Sequence, residues 1–319
     1  MKIAACAIAK NEAHHVQQWL NHTDECDIRV VVDTGSSDHT VSLLQAAGVR
    51  VFQKVWTPFR FDEPRNWALS HLPTDVDWVI SPDFDEYFAP GWRSELEKIL
   101  GSHPQATQIR YPVLIHEGDG KKSRTFPGGN LGWKIYNRNY VWTEPLHEVL
   151  AYQETNEKII ESKSIILHHI QDPKIDRTQN YLQIAIEHLK TDPNNCNLLW
   201  FALEGMTKTS RHAETIEYAV RYLQSTQPYT NFRSYALLQM VRSHWALHDK
   251  KDPSTVLLLL RAVGENPHHE EVWLELGVFA FEMKDWPLAV FAFSRIKNLE
   301  PKFHEMLEQS FKALADGAK

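Results

Sequence analysis

Short apolar runs alternate with helix-compatible segments over the first part of the chain. Ile3 to Ala9, Ile28 to Val32 and Val49 to Phe52 are typical of strands, because they are short and rich in small or β-branched residues. The intervening segments, Ala13 to Leu20 and about His39 to Ala47, have the spacing and flanking residues of helices. This order predicts a parallel sheet with crossover helices, in which ligands bind outside the carboxyl ends of the strands.

Polar residues follow each predicted strand at that end. Lys10-Asn11-Glu12 follows the first and Asp33 to Asp38 the second, and the apolar run Trp78 to Ile80 leads into Asp83-Phe84-Asp85-Glu86. Two aspartates one residue apart at a strand end can face one point, where their oxygens suit Mg²⁺ or Mn²⁺. Taken alone, a solvated acidic turn is the simpler interpretation.

A helix with Pro64 in its first turn is predicted between the third strand and Trp78. It carries Arg65 and Asn66 near its start, where a cation and free backbone N–H groups can meet a phosphate. For Arg65 alone, a surface ion pair is the competing interpretation.

Composition narrows the class of protein. At 319 residues, with 43% hydrophobic and 24% charged residues, the chain is long enough for two domains. A formal charge of −7 argues against non-specific nucleic-acid binding, and eleven tryptophans suggest aromatic packing or sugar-stacking surfaces. Three cysteines without a C-x-x-C motif favour buried thiols in a reducing compartment, and no signal peptide or membrane span is expected, so we expect a cytoplasmic protein.

The pattern becomes helical after Pro173. Trp273-Leu274-Glu275-Leu276-Gly277, Ala289, Phe293 and Pro301 match the tetratricopeptide pattern at its offsets. Asn197 to Leu223 and Phe232 to Val263 each predict a further helix pair. Such units stack because each leaves an apolar face that only a neighbour can cover.

Four segments in order resemble glycosyltransferase family 2. They are Lys-Asn-Glu after the first strand, Val-Val-Asp-Thr-Gly-Ser-Ser-Asp-x-Thr after the second, Phe-x-x-x-Arg-Asn-x-Ala-Leu, and Asp-x-Asp-Glu. Within the family, the segments resemble the branch that includes WaaE-type lipopolysaccharide core transferases and SunS-type peptide S-glycosyltransferases. It implies an α/β GT-A fold with a Rossmann-like, mostly parallel sheet, a nucleotide-diphospho sugar donor, Mn²⁺ or Mg²⁺, and inversion at the anomeric carbon.

The resemblance also assigns donor-side roles. Asp33 corresponds to a residue that hydrogen-bonds the nucleobase, and Glu12 lies where the family contacts the nucleoside. Asp83 and Asp85 match the motif that holds the metal on the donor diphosphate, and Arg65 falls beside the donor phosphates. Phe84 departs from the alanine that is common in the branch and is expected to narrow the donor pocket.

Inverting transfer needs a carboxylate base. Glu148, in a segment resembling the branch's Val-His-Glu, is the first candidate, with Glu144 and Glu117 behind it; Glu86 has an acceptor-side or supporting role and stays open as the base. For Glu148, pairing with Arg138 or a neighbouring histidine is an equal alternative. His147 is expected to contact donor phosphate or to orient its loop.

Ile165 to Ile170 predicts a strand that ends in two histidines. A lone histidine at a strand end is usually structural, but the resemblance to GT-A enzymes implies that one of the two completes the metal shell or contacts the diphosphate. We favour His168 over His169, because the alternation that points Ile166 inward also points His168 inward. Before this strand, the glycine-rich stretch His116 to Asn130 is expected to be either a mobile lid or a solvated hairpin tip.

The sequence therefore predicts a metal-dependent inverting glycosyltransferase, with a GT-A domain over residues 1–172 and a tetratricopeptide-like helical domain over residues 173–319. The acceptor is open among a glycan, a peptide side chain and a modified nucleic-acid base, of which DNA is the least favoured. The helical domain is expected to bind a peptide or protein partner, or, as the resemblance to SunS-type enzymes implies, to support a homodimer; the alternative is that it only supports the GT-A sheet. The alternative is a non-catalytic scaffold that carries a degenerate transferase module.

Overall fold

The computed structural model describes residues 1–117, 122–124, 131–172, 176–225, 230–249 and 251–317. Contacts divide the chain into two compact units, Met1–Arg177 and Thr178–Lys319. Every helix within the described ranges falls short of the length and apolar character that crossing a bilayer requires.

The first unit is an α/β unit. Its strands in the described ranges are Ile3–Ala9 (β1), Ile28–Asp33 (β2), Arg50–Gln53 (β3), Trp78–Ile80 (β4), Glu86–Phe88 (β5), Gln108–Glu117 (β6), Lys122–Arg124 (β7), Leu131–Asn137 (β8), Tyr140–Thr143 (β9), Val149–Tyr152 (β10), Ile159–Glu161 (β11) and Leu167–Gln171 (β12). Its helices there are Val16–His22 (α1), Thr40–Ala46 (α2), Asp62–Ser70 (α3) and Trp92–Ser102 (α4).

The main sheet has the order β3-β2-β1-β4-β8-β6-β12-β5, with β7 and β11 paired to β6, while β9 and β10 form a separate antiparallel ribbon. The segment β3-β2-β1-β4 is parallel throughout, and β8 is antiparallel to both of its neighbours. Since β1 lies between β2 and β4, the chain order reverses beside β1. A reversal of this kind opens a crevice at the carboxyl ends of the strands, where doubly wound sheets bind ligands.

Alternate residues of β1 belong to two different cores. Ile3, Ala5 and Ala7 pack in a cluster that includes Trp19 of α1, whereas Ala4 and Cys6 pack in a cluster on the opposite face. That second cluster contains Ala68 of α3 and aromatic residues of β8 and β9. Both faces of the strand are therefore buried, which explains why its sequence is continuously apolar.

The second unit is helical over its described residues. Its helices are Thr178–Leu189 (α5), Cys196–Lys208 (α6), His212–Gln224 (α7), Thr230–His248 (α8), Val256–Glu265 (α9), Glu270–Glu282 (α10), Trp286–Phe293 (α11) and Pro301–Gly317 (α12), with a 3-10 turn at Pro253–Thr255. Gly277 of α10 lies against the ring of Phe293 on α11, where a Cβ would come within 2.6 Å of the ring. The small residue at this position lets the two helices approach closely.

The predicted class, an α/β unit followed by an all-helical unit, is confirmed. The expected helix pairs correspond to α6 with α7, α8 with α9, and α10 with α11. Most of the stretch predicted as a lid or hairpin tip, from His116 to Asn130, lies outside the described residues.

Candidate active site at the carboxyl end of the sheet

A tight acidic turn connects β4 to β5. The backbone N–H of Asp83 donates to Oε2 of Glu86 at 2.9 Å, and the N–H of Glu86 donates to the carbonyl of Asp83 at 3.0 Å. The hydroxyls of Ser81 and Tyr136 share a hydrogen bond of 2.7 Å and join the start of this turn to β8. The turn is thus fixed by its own carboxylate and by the neighbouring strand.

Arg65 of α3 joins this turn to the loop after β9. Its Nη2 donates to Asp83 at 2.8 Å, its Nε donates to Glu148 at 2.5 Å, and its guanidinium lies 4.8 Å from the ring centre of Trp142. The side chain is 5% exposed, while Nη1 is buried without a partner. Arg65 therefore keeps one buried donor unused at the edge of the crevice.

Lys134 of β8 is the second cation of the site. Its ammonium donates to Asp83 at 2.6 Å and to Glu86 at 2.7 Å, and its backbone N–H donates to the hydroxyl of Tyr111 at 3.0 Å. Sequence reasoning missed this residue. The signal that could have found it is a lysine flanked by Trp133 and Ile135, because a charged residue with apolar neighbours in a strand can point to a buried ionic partner.

Burial and charge shift the pKa values of this network in opposite directions. Burial alone would raise the pKa of Asp83, but Arg65 and Lys134 outweigh it and hold the pKa well below its usual range. Burial raises the pKa of Glu86, although Lys134 opposes the shift. Burial would lower the pKa of Lys134, yet the two carboxylates raise it. Glu86 is thus the carboxylate of this pair that binds a proton first.

Asp85 faces His169 of β12. Its Oδ2 lies 3.3 Å from His169 Nε2 and 3.7 Å from Arg177 Nη2, and the side chain is 18% exposed. Burial would lower the pKa of His169, but the hydrogen bond and charge of Asp85 raise it. A carboxylate oxygen of Asp85 and an imidazole nitrogen of His169 therefore lie side by side at the edge of the acidic turn.

His168 lies on the other face of β12. Its Nδ1 is 2.8 Å from Nε2 of His116, and its ring stacks on Tyr87 with centroids 4.8 Å apart. The predicted alternation had the wrong parity, because Ile165, not Ile166, is fully buried. Leu167 and His169 consequently share the core-facing side, and the structure does not place His168 beside Asp85.

Asp33 ends β2 and shapes the loop that follows. Its carboxylate accepts from the N–H groups of Gly35 at 3.2 Å and Ser36 at 3.1 Å, and the residue is 1% exposed. Gly35 has φ +112°, a conformation that favours glycine. Asn11, at φ +60°, accepts from the N–H of Ser37 at 2.8 Å, so the loops after β1 and β2 are bonded to each other.

Glu12 lies at the same edge with two histidines. Its Oε2 is 3.1 Å from Nδ1 of His15, and together with His14 these residues bring three ligand atoms within 4.8 Å of one another. In the described part of the chain, no other group of three histidine, cysteine or carboxylate residues meets that spacing. Asp83, Asp85 and His168 are accordingly not gathered into one such group.

The remaining predicted residues occupy the turn between β9 and β10 and the end of β6. His147 is exposed at φ +51°, Glu144 has φ +73°, and Glu148 is 12% exposed in its bond to Arg65. The side chain of Glu117 lies outside the described residues. Glu148 is thus held in an ion pair, but its partner is Arg65 and not the expected Arg138 or neighbouring histidine.

Phe84 does not reach the crevice. It is 2% exposed and stacks on Trp19 with centroids 5.2 Å apart. Trp19 in turn donates from Nε1 to the carbonyl of Pro82 at 3.2 Å. The expectation that Phe84 narrows a donor pocket is wrong, because its ring packs on Trp19 and so holds the acidic turn against α1.

A cavity of about 240 Å³ adjoins the turn. It lies among β6, β8 and β12, and its titratable lining residues are Glu86, Tyr111, Lys134 and His169. The acidic turn therefore has a partly open cavity on the side that faces β12.

No family model matches the chain. A protein of Rickettsia felis named as an uncharacterized glycosyltransferase is 30% identical over 143 residues, which are 44% of this chain and 49% of that protein. A TPR repeat-containing protein of Synechococcus elongatus is 29% identical over 177 residues, 53% of this chain and 42% of that protein. The chain spans about half the length of the glycosyltransferases that it matches.

Among solved structures, S. aureus TarS residues 1–349 in complex with UDP is similar over 83% of this chain and 92% of that one. The identity is 14% and the TM-score is 0.44.

Proposed function

We propose that this protein is a glycosyltransferase that uses a nucleotide-diphospho sugar. The observation that carries the proposal is the acidic turn at the carboxyl edge of the sheet, where Asp83 lies beside the cations Arg65 and Lys134 and Asp85 lies beside His169. The family resemblance of the motifs and the names of the Rickettsia relatives support the same activity.

The charge distribution suits a diphosphate leaving group. In an inverting transfer, the acceptor oxygen or sulfur forms a bond to the anomeric carbon as the bond from that carbon to the diphosphate oxygen breaks. The electron pair of the broken bond stays on the diphosphate, and the acceptor proton passes to a carboxylate. Arg65 and Lys134 lie in a low-dielectric site, where fixed cations stabilise the developing charge more than they would in water.

The donor set at the rim fits Mn²⁺ or Mg²⁺. The Asp85 oxygen and the His169 nitrogen lie 3.3 Å apart, which suits two ligands of one ion, and His169 takes the place that the sequence had given to His168. When bound, the metal would supply Lewis-acid stabilisation of the diphosphate. Asp83 is already bonded to two cations, and we assign it to holding Arg65 and Lys134 in position.

Glu86 is the proposed base. It lines the cavity beside the turn. Both of its side-chain hydrogen bonds described above use Oε2, so we assign Oε1 to take the proton from the nucleophilic group of the acceptor substrate. Glu148 is bonded to Arg65, and we assign it to orienting the guanidinium.

The loop after β2 is the proposed nucleoside site. Because the carboxylate of Asp33 is bonded to Gly35 and Ser36, its role would be to fix the loop that meets the base. Glu12 is 31% exposed, and we assign it to contact the nucleoside. His147 is exposed, and we assign it to contact the donor phosphate.

A thermal-shift screen of nucleoside diphosphates and nucleotide sugars, with and without Mn²⁺, tests the proposal. Ligands that bind only the folded chain raise its melting temperature. Mn²⁺ should increase the shift in wild type and in His168→Ala, but not in Asp85→Asn or His169→Ala. Absence of any nucleotide shift in the wild type would favour a non-catalytic scaffold, and an Mn²⁺ effect that disappears in His168→Ala alone would overturn the assignment of His169.

A further inference from the structure

The cavity beside the acidic turn is apolar along most of its wall. Residues of one face of β6 and β12 form that wall with the end of β8; they are Tyr111, Val113, Ile115, Leu131 and Leu167. The register pairs Val113 with Leu167 and Ile115 with His169, so the surface is continuous across the two strands. A group that enters the cavity would meet mainly hydrocarbon.

Polar side chains lie at only a few points of the described lining. The ammonium of Lys134 is bonded to Asp83 and Glu86, and His169 is paired with Asp85. We therefore take the carboxylate of Glu86, whose hydrogen bonds described above use Oε2, as the polar group that an entering molecule would meet. A ligand with one polar atom would be oriented by this arrangement. Its apolar part would lie between the strands, and its polar atom would point to the acidic turn.

The volume limits what the cavity holds. Small-molecule sites usually enclose roughly 300–1,000 Å³, and an apolar cavity of about 150 Å³ is enough for benzene. At about 240 Å³, this cavity fits one substituted ring or a branched alkyl group rather than a whole acceptor. A sugar ring fits poorly, because most of its hydroxyls would be buried against aliphatic side chains without hydrogen-bond partners.

Trp133 marks the entrance. All eleven tryptophans lie in the described ranges, and Trp133, which is 40% exposed, is the most exposed of them. It also lines the cavity. An exposed indole at the mouth of an apolar space is a stacking surface for a flat group.

Gly132, the residue before it, keeps the cavity wall in place. A Cβ at this position would lie 2.2 Å from a ring carbon of Tyr111, which is fully buried. Only glycine lets the ring of Tyr111 lie across β8, and the neighbouring Lys134 N–H donates to its hydroxyl. The glycine at position 132 of β8 thereby fixes the position of the Tyr111 ring in the cavity wall.

We propose that the cavity is the acceptor subsite, and that the acceptor carries an aromatic or branched alkyl group next to its nucleophilic atom. The nucleophile is placed at Glu86, the carboxylate that we assign as base. This inference rests on the proposed glycosyltransferase function, and it names the class of acceptor that the site would take.

Ligand-observed saturation-transfer NMR tests it without relying on turnover. The probes are 4-methylbenzyl alcohol and methyl β-glucoside, each added to the full chain. We expect saturation transfer to the aromatic probe and little to the glucoside. Trp133→Ala and Leu131→Asp should reduce the aromatic signal at least fivefold, whereas Leu43→Asp, at an α2 position that is 43% exposed, should not.

The two proposals fail in different ways. Preference for the glucoside, or equal aromatic signals in wild type and both cavity variants, would overturn the acceptor subsite even if nucleotides bind. Trp133 is exposed, so Trp133→Ala tests the cavity even if Leu131→Asp does not fold. If the aromatic probe binds through the cavity but no nucleotide sugar binds or is consumed, the acceptor role fails together with the transferase function.

Discussion

Replacing Lys134 by methionine should destabilise the first unit strongly. Lys134 is 14% exposed and bridges Asp83 at 2.6 Å and Glu86 at 2.7 Å. Methionine preserves the shape of the side chain but leaves two neighbouring carboxylates without their shared cation. Breaking a buried ion pair by removing one partner costs about 3–5 kcal/mol. Since Asp83 keeps Arg65 and is 33% exposed, we expect about 3 kcal/mol, the lower end of that range.

Urea unfolding of full-length variants measures this cost. Lys2→Met is the matched control, because Lys2 forms a salt bridge of 2.7 Å with Asp75 between side chains that are 37% and 65% exposed. Such a surface pair contributes about 0–1 kcal/mol. Adding Glu86→Gln to Lys134→Met should recover part of the loss, since it removes one of the uncompensated charges.

The pH dependence gives a second test. Burial raises the pKa of Glu86 in the folded chain, and losing Lys134 raises it further. The folded Lys134→Met variant then binds a proton at a pH where the unfolded chain does not, so its unfolding free energy should rise relative to wild type as the pH falls through the raised pKa of Glu86. A cost below about 1 kcal/mol, or a loss that does not shrink on acidification, would refute the role given to Lys134.

Two further predictions concern glycine and cysteine. Gly277→Ala should cost about 1–3 kcal/mol in urea unfolding, because its Cβ would come within 2.6 Å of the Phe293 ring. Gly264→Ala, a helical position with no atom within 4 Å of the new Cβ, should stabilise by about 0.4–1 kcal/mol; equal effects of the two changes would contradict the packing described. Burial raises the pKa of Cys6 to about 12 and also raises that of Cys26, so a disulfide reagent at pH 8 should leave both thiols unmodified until urea is added. Rapid labelling of Cys6 in the native protein would show that the reagent reaches β1 in the folded chain, and would contradict the burial described for that strand.

The positions of the strands were predictable because both faces of β1 and β2 are buried, which leaves a continuous apolar signal in the sequence. The polar groups at the strand ends were predictable for the same reason: the first polar residues after each run mark the edge of the sheet. The helix containing Arg65 was also predictable, since Pro64 fits the first turn of a helix.

Side-chain partners were harder to predict than positions. The choice between His168 and His169 depended on the parity of a five-residue strand, and the wrong isoleucine was taken as the inward one. Lys134 was overlooked because a lysine in a strand is usually on a solvated face, and its two carboxylate partners lie 48 and 51 residues away. No local pattern encodes such a distant pairing.

Phe84 illustrates a different limit. A residue between two aspartates of a ligand-binding motif is expected to face the ligand, but a tight turn directs alternate side chains to opposite sides. Phe84 packs on Trp19 beneath the turn, and that stacking depends on α1, whose position the sequence alone did not fix.

The most direct test of the central claim is the release of nucleoside diphosphate from a panel of nucleotide sugars in the presence of Mn²⁺. We predict turnover by the wild type with at least one donor and a decrease of at least a hundredfold in Asp85→Asn, while His168→Ala keeps most of the activity. A wild type that neither binds nor consumes any nucleotide sugar, or an Asp85→Asn variant as active as the wild type, would contradict it.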